Sequence, residues 1–214
     1  MKNKILILFI LIGITAFAQK VESKKLELVI DKNIKGKVES KIKKSEYARN
    51  FEGILIYETP MITDYFVNDS LTVSTKGDKT GLFKSFYYKM NDTISIDGAF
   101  GLFGGFGFSI KLIDKKPMVY ALMAADEIPI YSLTKSDSLE LRIEVPCENV
   151  KLILSKYPKL KSDKVIYGYL ELESSEFYQG KPTFGREETE ERTKLKMNMK
   201  VYFKSKFLDI EKMN

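Results

Sequence analysis

The sequence predicts an all-β protein, an antiparallel β-sandwich or partly open β-barrel of about ten strands with at most one short helix. Three observations carry that reading. Apolar and polar residues alternate with period two over much of the chain beyond its first nineteen residues. Turn-forming clusters separate the alternating runs at short intervals. The aromatic content is 14 Phe and 12 Tyr with no Trp, and Phe and Tyr suit the half-buried surface of a pleated sheet.

The chain opens with Lys2 and Lys4, an apolar run over residues 5–12, and the small-x-small pattern Ala16-Phe17-Ala18. That order marks residues 1–18 as a signal peptide, with Gln19 as the mature N-terminus. The apolar run is shorter than the ~20 residues a membrane-crossing helix needs, so cleavage is expected and no retained transmembrane helix. Residues 19–214 then read as a single exported β domain, with 19–50 readable as an N-terminal extension bounded by the charged stretch 32–50.

Within it, residues 26–30 form the first strand, ended by Asp31-Lys32-Asn33. Residues 38–49 are the helical candidate, because Val38, Ile42 and Tyr47 loosely share a face. Strands follow at 53–57, 71–75, 82–90, 108–113 and 118–123, divided by Lys76-Gly77-Asp78, Asn91-Asp92 and Asp114-Lys115-Lys116-Pro117. Leu139, Leu141, Ile143 and Val145 oppose Glu140, Arg142 and Glu144, and a shorter strand covers 151–154. In 165–173, Ile166, Leu170 and Leu172 face away from Tyr167, Tyr169 and Glu171. The clearest strand is 194–207, where Leu195, Met197, Met199, Val201, Phe203 and Phe207 oppose a row of lysines with Asn198.

Composition closes several chemistries. With no histidine there is no Ser-His-Asp or Cys-His arrangement and no imidazole metal ligand, so proton transfer would rest on Asp, Glu, Lys or Tyr. Cys147 is the single cysteine and forms no internal disulfide. It reads as a small half-buried apolar residue, since no cationic activator adjoins it. It also lies too far from the signal to be the lipid-bearing first residue of a lipoprotein. Cleavage removes Lys2 and Lys4 from the 35 basic residues and leaves all 29 acids, a mature net charge of +4. That mild charge, without clustered Arg and aromatic residues, speaks against nucleic acid as a partner. Peripheral contact with an anionic membrane surface is compatible with it. No cofactor or metal site is indicated. The acidic run Glu187-Glu188-Thr189-Glu190-Glu191 lacks the alternating oxygen spacing of a calcium loop.

The oddest segment is 97–108, where Gly98, Gly101, Gly104, Gly105 and Gly107 are interleaved with Phe100, Leu102, Phe103, Phe106 and Phe108. Its spacing matches no phosphate-binding glycine loop. Such glycines either let a strand bend sharply in a closed barrel or give a mobile apolar lining to a pocket. On the second reading Phe100, Phe103, Phe106 and Phe108 form an apolar ligand or partner site, with Tyr87 and Tyr88 beside them. A parallel possibility is an aromatic platform of Tyr87, Tyr88, Tyr167, Tyr169, Tyr178 and Tyr202 on a wet sheet face, although strand propensity alone explains those positions. Asp69-Ser70, Asp92-Thr93 and Asp137-Ser138 fit the acceptor pattern of periplasmic O-glycosylation and equally the turns they border.

The reading is therefore an exported, non-enzymatic binding protein of a bacterial envelope that recognises an apolar or lipid-like small molecule or an envelope protein. The alternatives are a carboxylate-dependent glycan hydrolase, with Asp126, Glu127, Glu171 and Glu173 among its candidate acids, and a structural envelope component.

Overall fold

The computed structural model describes residues 25–44, 55–57, 62–67, 70–76, 83–100, 104–159, 165–181 and 191–209. They form thirteen strands and one helix: β1 (Lys25–Ile30), α1 (Ile34–Lys44), β2 (Leu55–Tyr57), β3 (Ile62–Val67), β4 (Ser70–Lys76), β5 (Phe83–Met90) and β6 (Thr93–Phe100). There follow β7 (Gly105–Ile113), β8 (Lys116–Ala124), β9 (Tyr131–Ser132), β10 (Arg142–Leu154), β11 (Val165–Ser174), β12 (Phe177–Gly180) and β13 (Arg192–Phe207). The all-β class holds. Residues 1–18 and Gln19 lie outside the described residues.

The pairings make a ring. Strands β5, β6, β7, β8, β10, β11 and β13 pair antiparallel in that order, and β13 returns to β5 through a short parallel joint, Lys206↔Phe86 and Phe207↔Tyr87. The parallel joint is a matter of parity. Seven strands that alternate in direction bring two of like direction together where the ring meets. Three contacts hold the joint: the Leu208 amide donates to the Tyr87 carbonyl at 2.9 Å, the Tyr87 and Phe207 rings stand 5.3 Å apart, and the Ser85 and Ser205 hydroxyls share a buried hydrogen bond.

The two longest strands each serve several neighbours along one edge. On β10, β8 pairs with 142–146 and β1 then pairs, in parallel, with 149–154. On β13, β3 pairs with 194–198, β2 with 201–203 and β5 with 206–207. Strand β10 runs straight through Pro146 and joins the two shorter strands read from the sequence. The proline sits where the ladder to β8 stops, so its missing N–H breaks no continuing series. A bulge between Cys147 and Asn149 then shifts the inward parity. Ile143, Val145 and Cys147 are buried before it, and Val150, Leu152 and Leu154 after it.

The interior is filled. Tyr87, Phe108, Phe177 and Phe203 are fully buried with Ile96, Ile110, Leu152 and Ile166 around them. Two glycines seat two of these rings. A Cβ at Gly98 would lie 2.4 Å from Cε1 of Phe108, and one at Gly168 2.2 Å from Cζ of Phe203. The two rings they admit then meet at 5.4 Å. In a packed core an extra carbon at such a distance displaces a ring that has nowhere to go.

Candidate functional site

Helix α1 lies against β11 and β13 and begins earlier than the 38–49 read from the sequence. The turn expected to end the first strand starts the helix instead. Asp31 accepts the Asn33 amide on its carboxylate (2.9 Å) and the Ile34 amide on its carbonyl (3.2 Å). Ile34 and Val38, one turn apart, are buried but stand outside the main core cluster. Lys35, Gly36, Lys37, Glu39, Ser40 and Lys41 are exposed or half-buried.

Beside the helix runs the outward face of β11 and β13. Alternation that sends Ile166, Leu170, Val201 and Phe203 inward leaves Tyr167, Tyr169, Glu171, Lys200, Tyr202 and Lys204 outside. Antiparallel register sets these directly opposite one another as Tyr167↔Lys204, Tyr169↔Tyr202 and Glu171↔Lys200. The Tyr169 and Tyr202 rings are 4.7 Å apart at 45°. Ammonium groups lie over the rings, Lys41 at 5.3 Å from the Tyr202 centroid, and Lys35 and Lys204 at 5.7 and 6.0 Å from that of Tyr167. Gly36, Lys37, Ser40, Lys41 and Tyr202 line an open groove of about 460 Å³ between helix and sheet.

The acids of this face are engaged. Glu39 accepts the Tyr167 hydroxyl at 3.2 Å and lies 3.9 Å from Lys35. Glu171 is held below the ordinary carboxylate range by its Lys200 hydrogen bond, aided by the Tyr169 hydroxyl. Burial, with the charge and hydrogen bond of Glu39, pushes the Tyr167 phenol up. Tyr167 therefore stays a neutral donor near neutral pH.

The residues singled out in the sequence are spread over both faces. Tyr87 and Phe108 point into the core, and Phe106 is half-buried against it. Tyr88, one residue from Tyr87, necessarily faces out. Its hydroxyl donates to Asp97 Oδ2 at 2.8 Å, and Ser109 donates to the other oxygen at 2.7 Å. Phe100 ends β6 opposite Phe83 and Phe106, and Phe103 lies outside the described residues, as do Glu187 to Glu190. Of the tyrosine platform, the structure brings together Tyr167, Tyr169 and Tyr202 and leaves Tyr87 inside. The sequence reading missed the helix side of the groove. The spacing of Ile34, Val38 and Ile42, four residues each, was the available signal.

Cys147 is buried, and burial pushes its thiol up to about 12. Among the described residues no group of three or more Cys, Asp or Glu is placed to hold a metal ion, and no helix is long and apolar enough to cross a membrane. Compared with protein-family models, curated proteins and solved structures, the chain matches none.

Proposed function

We propose that the chain is an exported, non-enzymatic binding protein of a bacterial envelope whose recognition surface is the outer tyrosine–lysine face of β11 and β13 beside α1. The observation that carries it is the Tyr169–Tyr202 pair at the edge of an open groove, with the Lys41 ammonium over Tyr202. Aromatic rings with cations beside them offer recognition with stacking and charge together. The apolar or lipid-like ligand expected from the sequence, bound among the phenylalanines, draws less support, because Phe108 is spent on seating the core against Phe203. Export rests on Lys2, Lys4, the apolar run and Ala16-Phe17-Ala18. A hydrolytic reading finds no favouring geometry at Glu171 and Glu173, whose carboxyls lysines hold low, where a general acid needs a raised one.

The test is native mass spectrometry of the protein taken gently from its own envelope fraction, beside a Tyr202→Ala variant prepared in the same way. A non-covalent adduct on the parent chain, absent from a folded Tyr202→Ala protein, supports the reading. An adduct that the substitution leaves unchanged, or none on either protein, overturns it.

A further inference from the structure

We infer that Ser138 is an O-glycan acceptor, its hydroxyl taking a sugar from an activated donor, a glycosyl group carried on a lipid diphosphate. Such a modification is independent of the recognition face proposed above and rests on the export part of that reading alone. Three Asp-Ser/Thr pairs occur in the chain, Asp69-Ser70, Asp92-Thr93 and Asp137-Ser138, and an aliphatic residue follows each one. The structure separates them. Ser70 opens β4 and is paired with Val67. Thr93, half-buried, opens β6 and is paired with Met90 across the turn Asn91-Asp92. The next residue, Ile94, already has Lys89 on one side and Leu112 on the other. Bringing either site into an enzyme's cleft requires a hairpin to unzip.

Ser138 belongs to no strand. It lies exposed between β9 and β10, two residues before the Tyr131↔Glu140 bridge. Its loop is nonetheless held in place. Arg192 donates to the Ser132 hydroxyl at 2.8 Å and to the Asp137 carbonyl at 2.5 Å, and the Asp137 carboxylate accepts the Thr134 amide at 3.0 Å. Leu139 is half-buried against β12, where a Cβ at Gly180 would lie 2.8 Å from its Cδ1. The hydroxyls of the loop are the sharper sign. Ser132 donates to the Thr134 carbonyl, and Thr134 and Ser136 share a bond at 3.1 Å. The Ser138 hydroxyl alone of these four has no hydrogen-bond partner among the described residues. In the transfer, Ser138 Oγ bonds to the anomeric carbon as the bond from that carbon to the diphosphate oxygen breaks. The diphosphate leaves with the electron pair, and the hydroxyl proton passes to a base of the transferase and on to water. A bulky, hydrated sugar there also shields Leu133 and Leu141, which stand exposed on the same connection.

The experiment takes the full chain from its own envelope fraction and weighs it after denaturation, which strips every non-covalent ligand. Fragmentation of the same ions reads the N-terminus and locates any added mass. Ser138→Ala, Ser138→Thr and Thr93→Ala are prepared in the same way, and circular dichroism must show each folded. The expected parent starts at Gln19 and is heavier than its sequence by whole monosaccharide residues, which appear as sugar ions on fragmentation. That mass should be lost in Ser138→Ala and kept in Ser138→Thr and Thr93→Ala. A glycan that survives Ser138→Ala, or that fragmentation places on Asn91, Thr93 or Ser70, would overturn the assignment. A parent that starts at Gln19 with the mass of its sequence alone would overturn glycosylation and leave export standing. One that keeps residues 1–18 and carries no sugar would overturn both. The recognition face is decided apart from all of these, by the non-covalent adduct, since any glycan is carried equally by the parent and Tyr202→Ala.

Discussion

At Gly98 an added Cβ would lie 2.4 Å from a ring carbon of Phe108, whereas at Gly36 it would meet nothing within 4 Å. The same substitution should therefore act in opposite directions at the two positions. Gly98→Ala is expected to lower unfolding free energy by about 1–3 kcal/mol, the usual cost of overpacking a filled core. Gly36→Ala is expected to raise it by roughly 0.5–1 kcal/mol, the helix-propensity difference. Urea titrations with unchanged slope would measure both, and a destabilised Gly36→Ala would mean the helix needs that glycine after all. Cys147 gives a second residue-scale outcome. Its thiol, pushed up to about 12 by burial, is almost wholly protonated at pH 8, and thiolate is the reactive form. Ellman's reagent should leave the native protein unlabelled over hours and label it promptly in denaturant. The bland sequence reading of Cys147 needed only its alternating apolar surroundings. The glycines were ambiguous because a sequence shows that space is left open without showing what fills it.

Most strands were legible as elements because alternation is a local property, and β13, β11 and β5 lie within one or two residues of where the pattern put them. Strand β10 was split in two, since its inward residues change from odd to even numbers and a proline stands between. A bulge produces that same signature, and the proline falls at the handover from one partner to the next. Strands β3, β6, β9 and β12 passed unread, the last two being four residues or fewer. At the outer face the alternating acids and lysines were visible, but their pairing depends on register. Asn149 and Lys196 both donate to Glu173, and Lys200 lies 2.8 Å from Glu171. Glu173 is held low by Lys196 and then Asn149, Glu171 by Lys200 and then Tyr169. On Lys196 burial works downward, yet the hydrogen bond and charge of Glu173, with Glu148 and Glu176, raise it. Carboxyls lowered on folding contribute stability that is complete above the unfolded value near about 4.3 and is lost as pH falls through the folded values. Each pair is partly in solvent, so screening keeps the contribution below about 1 kcal/mol. Glu171→Gln/Glu173→Gln should therefore be slightly less stable than the parent at pH 7 and lose less of its stability between pH 5 and pH 3. Denaturation midpoints across that range test this, and parallel acid limbs for the two proteins would refute it.

Ring closure belongs to the whole molecule, and nothing local announces it, because alternation assigns faces but not partners. Its physical weak point follows from the pairing. Strands β7 and β8 share nine residue pairs, as do β11 and β13, whereas β13 meets β5 through two. A joint that short holds by side-chain packing, with the Tyr87 and Phe207 rings in contact above the Ser85–Ser205 bond. The least costly opening of the native ring should then be separation of β13 from β5 while the antiparallel ladders persist. Phe207→Ala removes one ring of the pair. Phe207 is half-buried, so the loss is expected near 2 kcal/mol, below the range for fully buried phenylalanine. If the joint opens on its own, that loss appears locally, and exchange of the Leu208 amide, which donates to the Tyr87 carbonyl, speeds up by roughly thirty-fold. Ladder amides between β7 and β8 should change much less at low denaturant, because their opening does not pass through the joint. Native-state hydrogen exchange on both proteins decides the matter. Equal acceleration at Leu208 and in the β7–β8 ladder would mean that the ring yields only as one cooperative body, and the short parallel joint would then be as firm as the ladders it connects.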